Sequence, residues 1–318
     1  MHESNNNRTD NNNNNRNSYG SSKNKNNNGH DKKILIIGLG QIGYSNAEYL
    51  HSLGLRVDGF DISEKAVERA IKDGMIDKKA TSFADYDYYL ICISTHQPND
   101  MFTPYQDGIM EVTYRIAAEG NKSGALVGID STIPKGTSKK VLALLNHKMH
   151  VVHVPHRYFG PEKHDHGVNQ TRVIGGCEPC CMAAGKAFYG QTLGIPLHEV
   201  SSIEVAEMTK IVENSYRFME IAFAEELRMV SDSAGIDFDE LRKAVNTKWN
   251  IKILEAREGI GGHCLPKDSE MFLSVAKNAL DSSIVSAAKM VDHKYRFYLS
   301  QKPMAPPVEL GGKAKVEL

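Results

Sequence analysis

The segment "KKILIIGLGQIGYSNAEYLHSLG", from Lys32 to Gly54, constrains the fold more than any other. A short apolar run ends on glycine, and a helix-forming stretch closed by Gly54 begins at once. Gly38, Gly40 and Gly43 stand in G-x-G-x-x-G spacing across that junction. Gly38 permits the tight turn, Gly40 lets backbone approach a pyrophosphate, and Gly43 lets the helix pack closely on the strand. The phosphates then rest on the helix N-terminus, with Gln41 and Ile42 in the same turn. Asp61 ends the next apolar run, "RVDGFDIS", where a carboxylate accepts ribose hydroxyls and repels a 2′-phosphate. The expected cofactor is NAD rather than NADP.

The rest of the chain extends that beginning. "SEKAVERAIKDG" reads as a helix with Ser63 as N-cap and Gly74 as its stop. "YYLICIS", "ALVGIDST" and "MHVVHVP" are further apolar runs, and "TRVIGG" and "IPLHEVS" add strands at the far end. The alternation predicts a mostly parallel sheet with helices on its faces. From about Ser202 to Ala234 no Pro or Gly interrupts the chain, and apolar positions recur at spacings of 3–4. That predicts one long helix, apolar on more than one face, serving as a spine between domains or subunits. The expected class is therefore α/β: a Rossmann-like NAD-binding domain over 32–200, then an all-α central domain over 201–300 that dimerises. Residues 1–31 are asparagine-rich and expected to be disordered, and 301–318 form a loose tail.

Composition narrows the function. The 318 residues carry a net charge of -1, which points to neither nucleic acid nor a membrane surface. No apolar run approaches the length of a membrane span. Cysteines at 92, 177, 180, 181 and 264 do not form a secreted disulfide framework, so a cytoplasmic location is expected.

The chemistry concentrates in "EGIGGHCLPKDSE", where Cys264 lies between a loop containing Gly259, Gly261 and Gly262 and a Lys-Asp pair. On the long helix, Glu207, Lys210, Asn214 and Arg217 share one face. Alone, that stripe reads more simply as a solvated polar face. Beside a cysteine it gains a chemical meaning. A thiolate attacks carbon, and an ammonium and an amide stabilise the oxyanion that forms. An NAD site supplies the electrophile by oxidising an alcohol to an aldehyde.

Through "IGLGQIG", "ICIST", "DSTIPKGTS", "RVIGG", "EMTKIVENSYR" and "GIGGHCLPKD", the sequence resembles the UDP-glucose/GDP-mannose dehydrogenases. The resemblance implies oxidation of a nucleotide sugar from the C6 alcohol to the carboxylate with two NAD, in polysaccharide biosynthesis. By that resemblance Cys264 is the nucleophile, and Lys210 and Asn214 stabilise the oxyanion. Asp268 orders a catalytic water, Thr132 positions water near the nicotinamide, and Ser94 and Thr95 form the turn beside the cofactor. Arg157, Lys210, Asn214, Gly261 and Gly262 would contact substrate.

Two departures stand out. The family's Ser-Pro-Glu-Arg is replaced by "VPHR", which puts His156 where a glutamate assists thioester hydrolysis. His156, Glu162, or loss of the hydrolytic step are the alternatives. The family's third, nucleotide-gripping domain has no counterpart in the sequence, so a second chain supplying it is one expectation. A single-step hydroxyacid dehydrogenase and a non-catalytic NAD-binding subunit are the competing readings. No metal is expected: His153, His156, His164 and His166 read as a polar loop, and "CEPCC" as ordinary core or capping cysteines. Trp249 is expected to pack within the helical domain.

Overall fold

The computed structural model describes residues 32–97, 99–163 and 165–301. The two expected tails, apart from Gln301, and His164 lie outside the described residues. Ten strands occur: β1 (Ile34–Ile37), β2 (Val57–Phe60), β3 (Lys78–Lys79), β4 (Tyr88–Ile91), β5 (His96–Gln97), β6 (Asp100–Pro104), β7 (Leu126–Ile129), β8 (His150–His153), β9 (Arg172–Gly176) and β10 (Leu197–Glu199). Eight of them form one sheet in the order β10-β9-β8-β7-β4-β1-β2-β3, and β5 and β6 make a separate hairpin. β1, β4 and β7 are buried on both faces, which is why they read as continuous apolar runs.

The chain leaves β1 in one direction through β2 and β3, and in the other through β4, β7 and β8. The reversal opens a crevice at the carboxyl ends of β1 and β4, where such sheets bind ligands. β9 runs antiparallel to β8. The connection over 154–171, which carries His156 and Arg157, therefore returns across that same edge of the sheet.

Helices α1 (Gln41–Ser52), α2 (Glu64–Lys72), α3 (Asp107–Glu119), α4 (Thr137–Leu144) and α5 (Pro179–Gly185) cover the sheet. A π-helical stretch over Lys186–Thr192 follows α5. It turns two successive rings inward: Phe188 stacks on Tyr88 at 4.1 Å between centroids, while the Tyr189 hydroxyl donates to Asp130 at 2.8 Å. Asp130 also accepts from Asn46 (2.7 Å) and pairs with Arg172 (2.9 Å), all buried. This closed polar knot ties β7, α1, β9 and the π turn together beneath the crevice.

The sheet gives way to helices at Ser202, whose side chain caps α6 (Ile203–Ala234) by accepting from Val205 N–H. Gly235 ends the helix at φ 68°. A Cβ on Gly175 would meet the Ala206 side chain at 2.8 Å, so a glycine in β9 is what lets the first turns of α6 lie on the sheet. α7 (Phe238–Val245), α8 (Cys264–Ala276) and α9 (Ile284–Gln301) follow. α8 and α9 pack along α6, around a core of Phe218, Ala222, Ile260 and Ala288.

Two local expectations need correction. Trp249 does not pack: it is 92% exposed, on the turn that follows α7 and projects beyond the helices. Tyr216, Phe223 and Val230 on α6 face outward, in keeping with a helix that is apolar on more than one face. Ser63 does stand at the N-cap of α2, but its side chain makes no capping bond, and its own N–H is held by Asp61 instead.

Candidate active site

The glycine turn has the geometry its spacing predicts. Gly38 adopts φ 92° with the Cys92 carbonyl 2.7 Å from where a Cβ would sit. Gly43 packs so tightly that a Cβ would lie 1.7 Å from the Gly38 oxygen. Gly40, in contrast, is exposed at the head of α1 with open space around it. Asp61 accepts from Leu39 N–H at 2.6 Å and from Ser63 N–H at 2.7 Å, which fixes its carboxylate beside the turn. Gln41 and Ile42 open α1 at the same point. An open glycine before a free helix N-terminus, flanked by an anchored carboxylate, fits a dinucleotide.

A second centre lies where α8 meets α6. Cys264 is the first residue of α8 and reaches solvent, yet surrounding protein raises its thiol pKa above the ordinary value. Desolvation is the main cause and the Asp268 carboxylate adds to it, while Lys267 and Lys210 pull the other way. Burial lowers the pKa of Lys210, against the opposing influence of Asp268, Glu213 and Cys264. Asn214 Nδ2 donates to Asp268 Oδ2 at 2.5 Å. Lys210 and Asn214 on α6 thus meet Cys264 and Asp268 on α8 in one pocket.

One chain of polar contacts runs from the cysteine centre to the loops that border the crevice. Lys267, 4% exposed, places Nζ 2.5 Å from Asp268 Oδ1 and 3.2 Å from Thr95 Oγ1. Thr95 in turn donates to the Thr132 carbonyl at 2.8 Å. The loop after β4 therefore reaches the cysteine helix directly, and the loop after β7 joins it through Thr95. Ser94, next to Thr95, faces solvent at the mouth of the crevice. Gly262 takes φ 75°, and neither Gly261 nor Gly262 has an atom near its Cβ position, so the loop before Cys264 is open. From behind, α9 pins it: Ile260 N–H donates to Asp292 (2.7 Å), and Arg296 donates to the Ile260 carbonyl (2.6 Å).

The "VPHR" residues divide. His156 has a buried Nδ1 with no partner among the described residues. Its pKa is held well below the ordinary value, first by burial and then by Lys210, Arg172, Lys267 and His153. It is neutral near pH 7, and weakly basic. Arg157 pairs with Glu213 on α6 and donates to the Thr171 carbonyl. Glu162 lies outside the pocket, 3.3 Å from His166 on an exposed turn. That turn rests on the head of α1, since a Cβ on Gly160 would meet Gln41 Nε2 at 3.1 Å. His153 is fully buried behind the loop. Among the described residues, no group of potential metal ligands includes His153, His156 or His166.

The sequence signalled some site residues only faintly. Lys267 was visible only as half of a Lys-Asp pair. His96, on the β5–β6 hairpin, meets His263 edge-to-face at 5.2 Å and closes the hairpin over the cysteine loop. Glu207 belongs to the polar stripe but does not face the pocket. It is buried and accepts from Gly136 N–H (2.5 Å) and Ser138 N–H (2.8 Å), clamping α6 to the start of α4. Arg217 is exposed and pairs with Glu220.

Known proteins resemble this chain to different extents. The profile of the UDP-glucose/GDP-mannose dehydrogenase family, central domain, matches residues 204–294. The chain is 28% identical over 305 residues to a UDP-N-acetyl-D-mannosamine dehydrogenase of Methanococcus maripaludis, over 88% of this chain and 69% of that protein. A solved UDP-D-ManNAc dehydrogenase from Pyrococcus horikoshii matches with a TM-score of 0.74 at 25% identity, over 84% of this chain and 70% of that one. A 3-hydroxyisobutyrate dehydrogenase from Mycobacterium tuberculosis matches with a TM-score of 0.65 at 16% identity, over 85% of this chain and 94% of that one, a likeness of fold alone. In the described residues no helix is long and apolar enough to cross a membrane.

Proposed function

We propose that the chain, whose residues 204–294 match the central domain of the UDP-glucose/GDP-mannose dehydrogenases, is a member of that family and oxidises the C6 alcohol of a nucleotide-activated hexose to the carboxylate in two NAD-dependent steps. The relatives' names make a UDP-linked 2-acetamido hexose the first substrate to test. The observation that carries the reading is the pocket in which Cys264, Lys210, Asn214 and Asp268 meet, joined through Lys267 and Thr95 to the cofactor crevice. A shared fold alone does not separate this reading from a single-step hydroxyacid dehydrogenase. Cys264 does, because one oxidation needs no nucleophile.

In this reading a bound NAD would supply the hydride acceptor for each oxidation. Gly38, Gly40, Gln41, Ile42 and Gly43 hold its pyrophosphate, and Asp61 holds a ribose hydroxyl. Ser94, Thr95 and Thr132 line the nicotinamide end. Water held by Asp268 and Thr132 takes the alcohol proton as the first hydride leaves. Cys264 sulfur then adds to the aldehyde carbon, and Lys210 and Asn214 stabilise the resulting oxyanion. Loss of the second hydride leaves a thioester on Cys264. His156 accepts a proton from the water that cleaves it, releasing acid and thiol. Catalysis of this kind works best with a base titrating near the working pH. A histidine with depressed basicity is a weaker general base for that step than one titrating near pH 7. Arg157, Gly261 and Gly262 border the sugar.

The test is stoichiometric. The purified chain, given NAD and UDP-N-acetyl-D-mannosamine, should form two NADH per acid. One NADH per product would favour the single-step reading.

A further inference from the structure

The crowded cysteines of "CEPCC" are not used by the reaction proposed above. They lie beside the start of β8, whereas His156 follows that strand's other end. α5 begins at Pro179, so Cys180 and Cys181 fall in its first turn, and His150 opens β8. The fold brings together an imidazole and two thiols that are far apart in sequence. Their ligand atoms all lie within 4.8 Å of one another. Cys177 turns away, with Sγ 3.5 Å from the Ser138 carbonyl. A fourth polar group stands alongside: Glu178 Oε2 is 3.6 Å from Cys180 Sγ, and its Oε1 is 3.1 Å from His147 Nδ1. His147 is brought there by a tight loop in which both Asn146 (φ 50°) and His147 (φ 55°) occupy the left-handed region. Cys181 is buried, His150 half-buried and Cys180 exposed, so an ion could enter from solvent.

We propose that His150, Cys180 and Cys181 bind one zinc ion, with the Glu178 carboxylate beside the fourth position. Two thiolates and an imidazole are a donor set for zinc rather than for magnesium or calcium, which take oxygen ligands. Zn–S of about 2.3 Å and Zn–N of about 2.0–2.1 Å put tetrahedral ligand atoms roughly 3.5–3.8 Å apart. The ligand atoms, now within 4.8 Å of one another, have to draw closer to reach that size. Zn²⁺ replaces the proton of each thiol, so two protons leave to solvent and two Zn–S bonds form with no change of oxidation state. The ion would clip α5 to β8.

The full-length chain, kept reduced and stripped with a chelator, is titrated with Zn²⁺ alone against a competing chromophoric chelator. The expected result is one equivalent bound and a higher melting temperature. Co²⁺ in its place should show thiolate charge-transfer absorption and tetrahedral visible bands. Cys180→Ser and His150→Ala should each weaken zinc by more than the about 10–100-fold that a supporting partner costs. Cys177→Ser and Cys264→Ser should leave zinc binding unchanged. Circular dichroism of the zinc-free variants checks that they fold, and Cys180→Ser, at an exposed position, is the variant least exposed to that risk. The proposal is overturned if the folded chain takes up no saturable zinc, or if uptake survives in the Cys180→Ser, His150→Ala double variant. Loss of uptake in Cys264→Ser, which would place the ion at the other thiol, also overturns it.

Discussion

Lys267 Nζ lies 3.2 Å from Thr95 Oγ1, joining the helix that carries Cys264 to the loop after β4. The same ammonium holds Asp268, and both side chains are buried. Removing it leaves a buried carboxylate without its charge partner and with only Asn214 bonded to it, and breaking such a buried pair costs about 3–5 kcal/mol. Lys267→Met should therefore lower the melting temperature and abolish turnover, while NAD binding at the distant glycine turn survives. Calorimetric titration with NAD alongside a thermal melt separates the two effects.

Asp61 is the second point of test. Its carboxylate is fixed by two backbone N–H groups beside the glycine turn. Hydrogen bonds from ribose to a charged group are worth about 1.5–3 kcal/mol. Asp61→Ala should weaken NAD roughly 10–100-fold and narrow the preference over NADP. Equal or tighter NADP binding by the unmutated chain would remove the argument for NAD.

The position of Cys264 predicts a pH profile. Desolvation and Asp268 raise its thiol pKa, and Lys267 and Lys210 oppose them. Alkylation by iodoacetamide should thus be slow at pH 7 and accelerate only above the ordinary thiol range. Lys210→Met removes one lowering charge, so its alkylation midpoint should move to still higher pH. A midpoint that moves down would mean that Lys210 does not act on the sulfur.

Glu225 gives a prediction about stability. It is fully buried on α6, neither oxygen meets a partner among the described residues, and its pKa is pushed up to about 8, first by burial and then by Asp292. The folded state therefore holds a proton that the unfolded state loses above its ordinary pKa of 4.5. Stability contributed by this group falls as pH rises from that value to about 8, by at most about 1.4 kcal/mol per pH unit. Glu225→Gln should raise the melting temperature more at pH 8 than at pH 5, as differential scanning calorimetry would show.

The outward stripe on α6 bears on assembly. Val205, Val212, Tyr216, Phe223 and Val230 are all exposed along one helix. A second copy of this chain is the occupant we expect. Sedimentation at micromolar concentration should show a dimer, and Phe223→Glu should shift it to monomer without loss of helix content.

Much of this was legible from local pattern. Strand and helix at the glycine turn follow from residues adjacent in sequence, as does α6, whose span of Ile203–Ala234 lies within one residue of the reading from Ser202. The segment around Cys264 announced itself by its glycines. What was not legible depends on contacts between distant segments. Glu207 looks like any charge on a polar stripe until α4 presents two unpaired N–H groups to it. His96 gave no signal, because its hairpin meets the cysteine loop only in the folded chain. Trp249 misled because a large ring usually packs, and here its turn projects into solvent. The π turn that directs Phe188 and Tyr189 inward has no pattern that hydrophobic spacing would detect.

The central claim is that Cys264 becomes acylated during the reaction. Intact mass spectrometry of the His156→Ala variant, mixed with NAD and UDP-N-acetyl-D-mannosamine, tests it most directly. Removing a general base costs about 10²–10⁴-fold in its step, so a covalent adduct should accumulate and map to Cys264, and Cys264→Ser should form neither adduct nor acid. Acid production by Cys264→Ser at the unmutated rate would contradict the account.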